Sequence, residues 1–261
     1  MSINLKKTAI FVLDILLAVY LVLAVTSFNS PDELITKCVR VDIDISDANN
    51  AGFLTPEEIK QQLLKQKLYP LNKQMAFVEP RHIEDVLKSS PFVNTAECFK
   101  TKDGHVRISI TQRMPVIRIK SINGSDYYLD DKGGILPNSN YTSDLVIATG
   151  NISKWFAQNY IMPLSNAIME SKLWSNQIEQ INVLPDKGIE LVPRVGDHVV
   201  FLGYLPVNNN KEVRQKEIKE FLDRKLNRLE KFYRYGLSTV GWNRYHYINI
   251  EFDNQIICKK K

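Results

Sequence analysis

The feature that most constrains this chain lies near its start. TAIFVLDILLAVYLVLAVTSF, Thr8 to Phe28, is twenty-one residues long and carries one charge, Asp14. As a helix rising ~1.5 Å per residue it would extend roughly 31 Å, which matches the hydrocarbon core of a bilayer. Thirteen of its residues are Leu, Ile, Val or Phe. Each favours insertion by about 0.3–0.6 kcal/mol, roughly 4–8 together, against about 2.5–3.5 for one Asp at the helix centre. Insertion wins, so Thr8 to Phe28 is expected to be a single transmembrane helix. Asp14 is then either a partner for a polar group on another membrane helix or a tolerated polar residue. The segment is also longer than the apolar stretch of about 7–15 residues in a cleaved signal peptide, although Ala24-Val25-Thr26 is a weak cleavage site.

Lys6 and Lys7 precede the segment, and Asp32 and Glu33 follow it. By the positive-inside rule the N-terminus stays in the cytoplasm and the bulk is exported. Residues 1–7 are therefore read as a cytoplasmic tail, 8–28 as the span and 29–37 as a linker. The formal net charge of +5 is mild and the basic residues are spread out. There is no dense stripe of the kind a nucleic-acid binder carries, and export removes that partner in any case. Three cysteines, Cys38, Cys98 and Cys258, are too few for a disulfide framework. At most one bridge forms, and small buried hydrophobes are the expected role; whether Cys38 and Cys98 pair is open.

Two folded pieces follow. CVRVDIDIS, Cys38 to Ser46, alternates as a strand. In LTPEEIKQQLLKQ, Thr55 is an N-cap, Pro56 takes the first helical position and Glu58 completes a capping box. EPRHIEDVLKSSPF is a second helix, with Ile83, Val86 and Leu87 on one face and Pro91 beyond its end. Two alternating runs, FVNTAECFKT and HVRISITQRMPV, meet at Lys102-Asp103-Gly104, a hairpin signal. The order β-α-α-β-β over 38–120 predicts an α+β layer.

From 121 to 261 the pattern predicts a mixed-sheet β domain with flanking helices. YYLDDKGGILP, from Tyr127, reads as a hairpin turning at Asp131-Lys132-Gly133; its spacing fits neither a calcium nor a phosphate loop. Helices are expected over Ile152 to Tyr160 and Leu164 to Trp174, separated by Pro163, and over Lys211 to Tyr233. Strands are expected in IEQINVLP and GIELVPRVGDHVVFLG. The chain closes on YINIEFDNQIICKKK, in which Ile248, Ile250, Phe252, Ile256 and Cys258 share one parity. One terminal strand with an uncovered edge is expected there.

A catalytic reading finds no support in this pattern. His82, His105, His198 and His246 have no second histidine at metal-ligand spacing, and no HExxH, G-x-S-x-G or C-x-x-C occurs. Asp130-Asp131 and Glu57-Glu58 fit a turn and a first helical turn. N-x-S/T triplets at Asn123, Asn140 and Asn151 matter only in a host that glycosylates exported proteins. No cofactor, metal or small-molecule substrate is expected.

HIEDVLKSSPFVNTAECF and VRISITQRMPVIRI resemble a POTRA domain, in particular through Pro91-Phe92-Val93 and Arg113-Met114-Pro115. With IEQINV, ELVPRVGDHVVFLG and FYRYGL…YINIEFDNQIIC, the whole chain resembles the FtsQ/DivIB family of bacterial cell-division proteins, most closely its Bacteroidetes-type branch. The resemblance implies a non-catalytic, single-pass inner-membrane scaffold of the division complex, its bulk periplasmic and gathered at the septum. FtsB- and FtsL-like proteins would be its partners, with the lipid bilayer. The docking residues implied are Tyr247, Ile248, Asn249, Ile250, Glu251, Phe252, Asp253 and Asn254, where a partner adds a strand to the last one. Glu251 stands where the family pattern has an arginine. Phe252 is either a contact residue or a core residue. Five or six backbone bonds at about 0.5–1.5 kcal/mol each need side-chain anchors besides. The alternative is a membrane-anchored POTRA-type chaperone for exported proteins.

Overall fold

The computed structural model describes residues 5–28, 36–46, 53–139 and 144–261, and the side chains of its first helix from 11 to 24. The tail 1–7 and the linker 29–37 expected from the sequence lie largely outside these residues, as does Asn140. Helix α1, Leu5–Phe28, has 24 residues, a length of about 36 Å. Its side chains from 11 to 23 are exposed on every side. Among the described residues no helix is long and apolar enough to cross a membrane. The described side chains of α1 cover only about 21 Å of a core ~30 Å thick. The expected helix is present; the crossing expected of it exceeds its described apolar face.

The chain folds as two compact units, the first ending at Thr111 and the second running from Gln112 and also taking in Phe53. In the first, β1 (Arg40–Ser46), α2 (Pro56–Lys65), α3 (Pro80–Lys88), β2 (Val93–Lys100) and β3 (His105–Gln112) follow in the expected order. The three strands form one sheet, β1-β3-β2, with β1 parallel to β3. The N-terminus of α2 is closed by the capping box. The Thr55 hydroxyl accepts from the Glu58 N–H at 3.3 Å, and the Glu58 carboxylate accepts from the Thr55 N–H at 2.9 Å. Ile59, Leu63, Ile83 and Leu87 press the two helices onto Val106, Ile108 and Ile110, all buried. Cys38 and Cys98 are buried free thiols of this core. Cys38 precedes β1 and Cys98 lies in β2, with β3 between.

In the second unit nine strands form one mixed sheet. They are β4 (Pro115–Ser121), β5 (Asp126–Asp130), β6 (Ile135–Pro137), β7 (Val146–Gly150), β8 (Ile178–Val183), β9 (Gly188–Pro193), β10 (Val199–Tyr204), β11 (Tyr245–Asn249) and β12 (Ile257–Lys260). Their spatial order is β12-β11-β10-β9-β8-β7-β4-β5-β6. Strand β4 corrects the boundary expected after Lys120. It pairs with β5 and β7, so the first unit ends at Thr111 and the arginine of Arg113-Met114-Pro115 belongs to the second.

The two helices expected on either side of Pro163 form one run, α4, made of Lys154–Phe156, Ala157–Ile161 and Met162–Glu170. Pro163 has no N–H to donate and its ring crowds the preceding turn. The middle segment widens into a π-turn just before it, which takes up that misfit. Trp174–Gln177 is a separate turn, α5, and Lys211–Phe232 is the long helix α6. Ile218, Leu222, Leu226 and Leu229 of α6 join one core with α4 and with the buried strand residues Ile119, Ala148, Ile181, Leu191, Val200, Ile248 and Ile250. The opposite sheet face mixes aromatic residues with polar pairs. There Thr149 accepts from Gln180 at 2.7 Å, and Asn182 donates to Glu190 at 2.8 Å.

Candidate functional site

The terminal run breaks where an unbroken strand was expected. Strand β11 lies parallel to β10 on one side, with Val199 opposite Tyr247 and Phe201 opposite Asn249. On its other side it pairs antiparallel with β12, Ile248 opposite Cys258 and Asn249 opposite Ile257. Tyr247, Ile248 and Asn249 are therefore flanked by strands on both sides, and no further strand can pair with them. Ile250 donates to Phe201 at 2.9 Å, and Glu251, Phe252, Asp253 and Asn254 form the bend that follows. The open edge belongs to β12.

Helix α6 explains the break. The Lys225 ammonium donates to the Glu251 carbonyl and, at 3.3 Å, to the Asp253 carboxylate. The Arg228 guanidinium donates to the Ile250 carbonyl. Glu251 donates its own N–H to the Asn249 side chain at 2.7 Å. Two consecutive carbonyls are thus held by cations, and a strand cannot continue through them. Lys225 is only 5% exposed, and a buried ammonium is tolerated only with such partners. Its hydrogen bond holds the Asp253 carboxyl below the usual carboxylate range. Ile256 and Cys258 resume on the core side beside Ile248 and Ile250. The alternation therefore survives the turn, and the sequence looked continuous.

The side chains of the expected docking set divide accordingly. Ile248 and Ile250 are fully buried core. Tyr247 stacks on Phe201, ring centres 6.4 Å apart, and the Lys259 ammonium lies 5.0 Å above its ring. Phe252 is 46% exposed, so its core reading fails. On β12, Ile257 is 43% exposed and Lys259 and Lys260 point outward. Cys258 is half-buried, unlike the other two thiols, and burial raises its pKa.

The remaining candidate groups are structural. The Asp130 carboxylate, 3% exposed, accepts from Arg113 at 2.8 Å and from the N–H groups of Lys132 and Gly134 at 3.1 and 2.6 Å. A Cβ at Gly134 would stand 2.0 Å from the Arg113 guanidinium, so a side chain there would displace the Arg113–Asp130 pair. His198 is buried against the Tyr233 hydroxyl at 2.6 Å, and burial lowers its pKa. His246 meets the Lys260 carbonyl at 2.9 Å across the terminal hairpin. Among the described residues no group of three His, Cys, Asp or Glu could hold a metal ion.

Sequence reasoning passed over Lys225 and Arg228. A signal was present: Lys225 falls within the apolar stripe of α6, beside Leu222 and Leu226, where a charge requires a buried partner.

Comparison with known families agrees with this division of the chain. A family described as "FtsQ/DivIB, C-terminal related" matches residues 114–259, and a POTRA-like domain matches residues 36–111. No curated protein matches the chain.

Proposed function

Because the chain belongs to the FtsQ/DivIB-related family, we propose that it is a non-catalytic scaffold of the bacterial division complex. It binds FtsB- or FtsL-like partners by accepting a strand on the free edge of β12. The carrying observation is the open edge itself. Strand β12 ends the nine-stranded sheet, and among the described residues no strand lies outside it. An unpaired row of backbone donors and acceptors is a standing template for another strand. In this reading the docking line moves from Tyr247–Asn254 to Ile257–Lys260, with Tyr247 acting through Lys259 rather than through its own backbone.

Helix α1 crosses the inner membrane in this reading and leaves both units in the periplasm. Its support is an exposed surface that is apolar all round the described stretch except at Asp14, which suits lipid better than water. Fractionation tests it: alkaline carbonate should leave the full chain in the membrane pellet, and release into the supernatant would contradict the crossing.

The docking claim is tested by affinity capture of the tagged full chain from native membranes, beside a copy ending at Gln255. Circular dichroism on both establishes that the shortened chain is folded. Small single-span partners should accompany the full chain and be lost from the folded shorter one. Retention of the partners on both would move the docking site off β12.

A further inference from the structure

Helix α6 and the turn that follows it carry seven basic residues from Lys216 to Arg234. Four are ion-paired: Lys216 with Glu220, Lys219 with Glu170, Lys225 with Asp253 and Arg234 with Glu230. The other three are Arg224, Arg228 and Lys231, and among the described residues none of them has an ion-pair partner at bonding distance. Their spacing of four and three puts them on one helix stripe. With Asp223 and Asn227 they line a groove of about 500 Å³. Asp223 is the one acid in it, so the groove keeps a net positive charge.

The groove adjoins the terminal hairpin. Arg228 reaches the Ile250 carbonyl, and Arg224 and Arg228 both act on the Asp253 carboxylate and help hold its pKa down. An ordinary solvated helix face intersperses its charges, as the first half of α6 does. A stripe with a cationic excess and no close ion pair of its own, next to the terminal hairpin, is different.

We propose that this groove receives an acidic stretch of the same polypeptide that adds a strand to β12. The proposal rests on the edge-docking reading above. The β12 backbone offers main-chain pairing, which fixes the occupant as a polypeptide. The groove then selects among strand-forming polypeptides by the carboxylates beside the strand. Arg228 is engaged by the Ile250 carbonyl, so Arg224 and Lys231 carry the charge recognition in this chain. Such contacts act through attraction across the interface and weaken as salt screens them.

The test uses the full chain in nanodiscs of zwitterionic lipid and two synthetic peptides. Both carry the same strand-forming segment of alternating Val and Thr; one ends in four Glu, the other in four Gln. Fluorescence anisotropy should show the acidic peptide binding about tenfold tighter at 50 mM salt, with the preference gone at 500 mM. Arg224→Glu/Lys231→Glu should abolish the preference and leave the Gln peptide unchanged. Arg228 is left intact because it holds the hairpin. Equal binding of the two peptides, or a preference that survives the double variant, overturns the groove and leaves the edge standing. Failure of both peptides to bind overturns the edge reading and the groove with it. Nanodiscs bearing the double variant serve as a folding check, since their thermal transition should match that of the parent.

Discussion

The nine-stranded sheet has two edges, and each ends in a hairpin that a cation secures. At one edge, Arg113 grips the Asp130 carboxylate at the β5–β6 turn. At the other, Lys225 and Arg228 grip the carbonyls of Ile250 and Glu251 at the β11–β12 turn. The outer strands differ. Strand β6 has three residues and ends in Pro137, which lacks an N–H to offer. Strand β12 has four, no proline, and outward lysines. The difference teaches that a sheet edge is made available or unavailable by a few backbone donors, while the hairpin clamp behind it serves both cases.

That contrast can be broken from the clamps. Arg113→Ala would leave a buried carboxylate without its cation, and breaking a fully buried pair costs about 3–5 kcal/mol. The Arg113 side chain is 24% exposed, so a loss of about 2–3 kcal/mol is expected after solvent screening. Chemical denaturation of the full chain measures it, and partner capture should be retained. Lys225→Met should cost less, about 1–3 kcal/mol for the unmet carbonyl, yet it should reduce capture. Hydrogen exchange should accelerate at residues 250–256 and stay unchanged at 126–137. If both variants affect capture alike, the two edges are not functionally distinct.

A pH series sharpens the same comparison. His198 opens onto β10 beside the terminal strands, and burial lowers its pKa below the ordinary 6.5. The folded state therefore favours the neutral ring, and its stabilisation is present above pH 6.5 and lost as pH falls through the lower folded value. Thermal midpoints should fall on acidification from pH 7 to pH 5, and His198→Gln should flatten that slope. The smallest effect is expected from Lys259→Gln. Loss of the ammonium above Tyr247 is worth about 0.5–1 kcal/mol at an exposed site; a differential melting measurement on the full chain would read it.

Much of this architecture was legible in the residues. The capping box at Thr55 and Glu58, the turns at Gly104 and Gly133, and the stripe of α6 each have local causes that a sequence displays. The order of elements in the first unit followed from such local causes. Pro163 misled because a proline inside a helical pattern signals a break, and only the π-turn before it shows how the helix continues. Strand β4 was assigned to the first unit because strand pairing is a long-range property that Arg113-Met114-Pro115 does not encode. The terminal hairpin was hidden by parity, since Ile250 and Ile256 are separated by an even number of positions. The cause of the turn lies on α6, more than twenty residues earlier. A periodicity argument cannot see a side chain arriving from another element.

The most direct measurement places a photo-crosslinking residue in the full chain within living cells, at Lys259 on β12 in one strain and at Ile135 on β6 in another. Adducts to single-span division proteins from Lys259, with none from Ile135, are the result this account requires. Adducts from Ile135, or adducts from neither position while partners still co-purify, would contradict β12 as the docking edge.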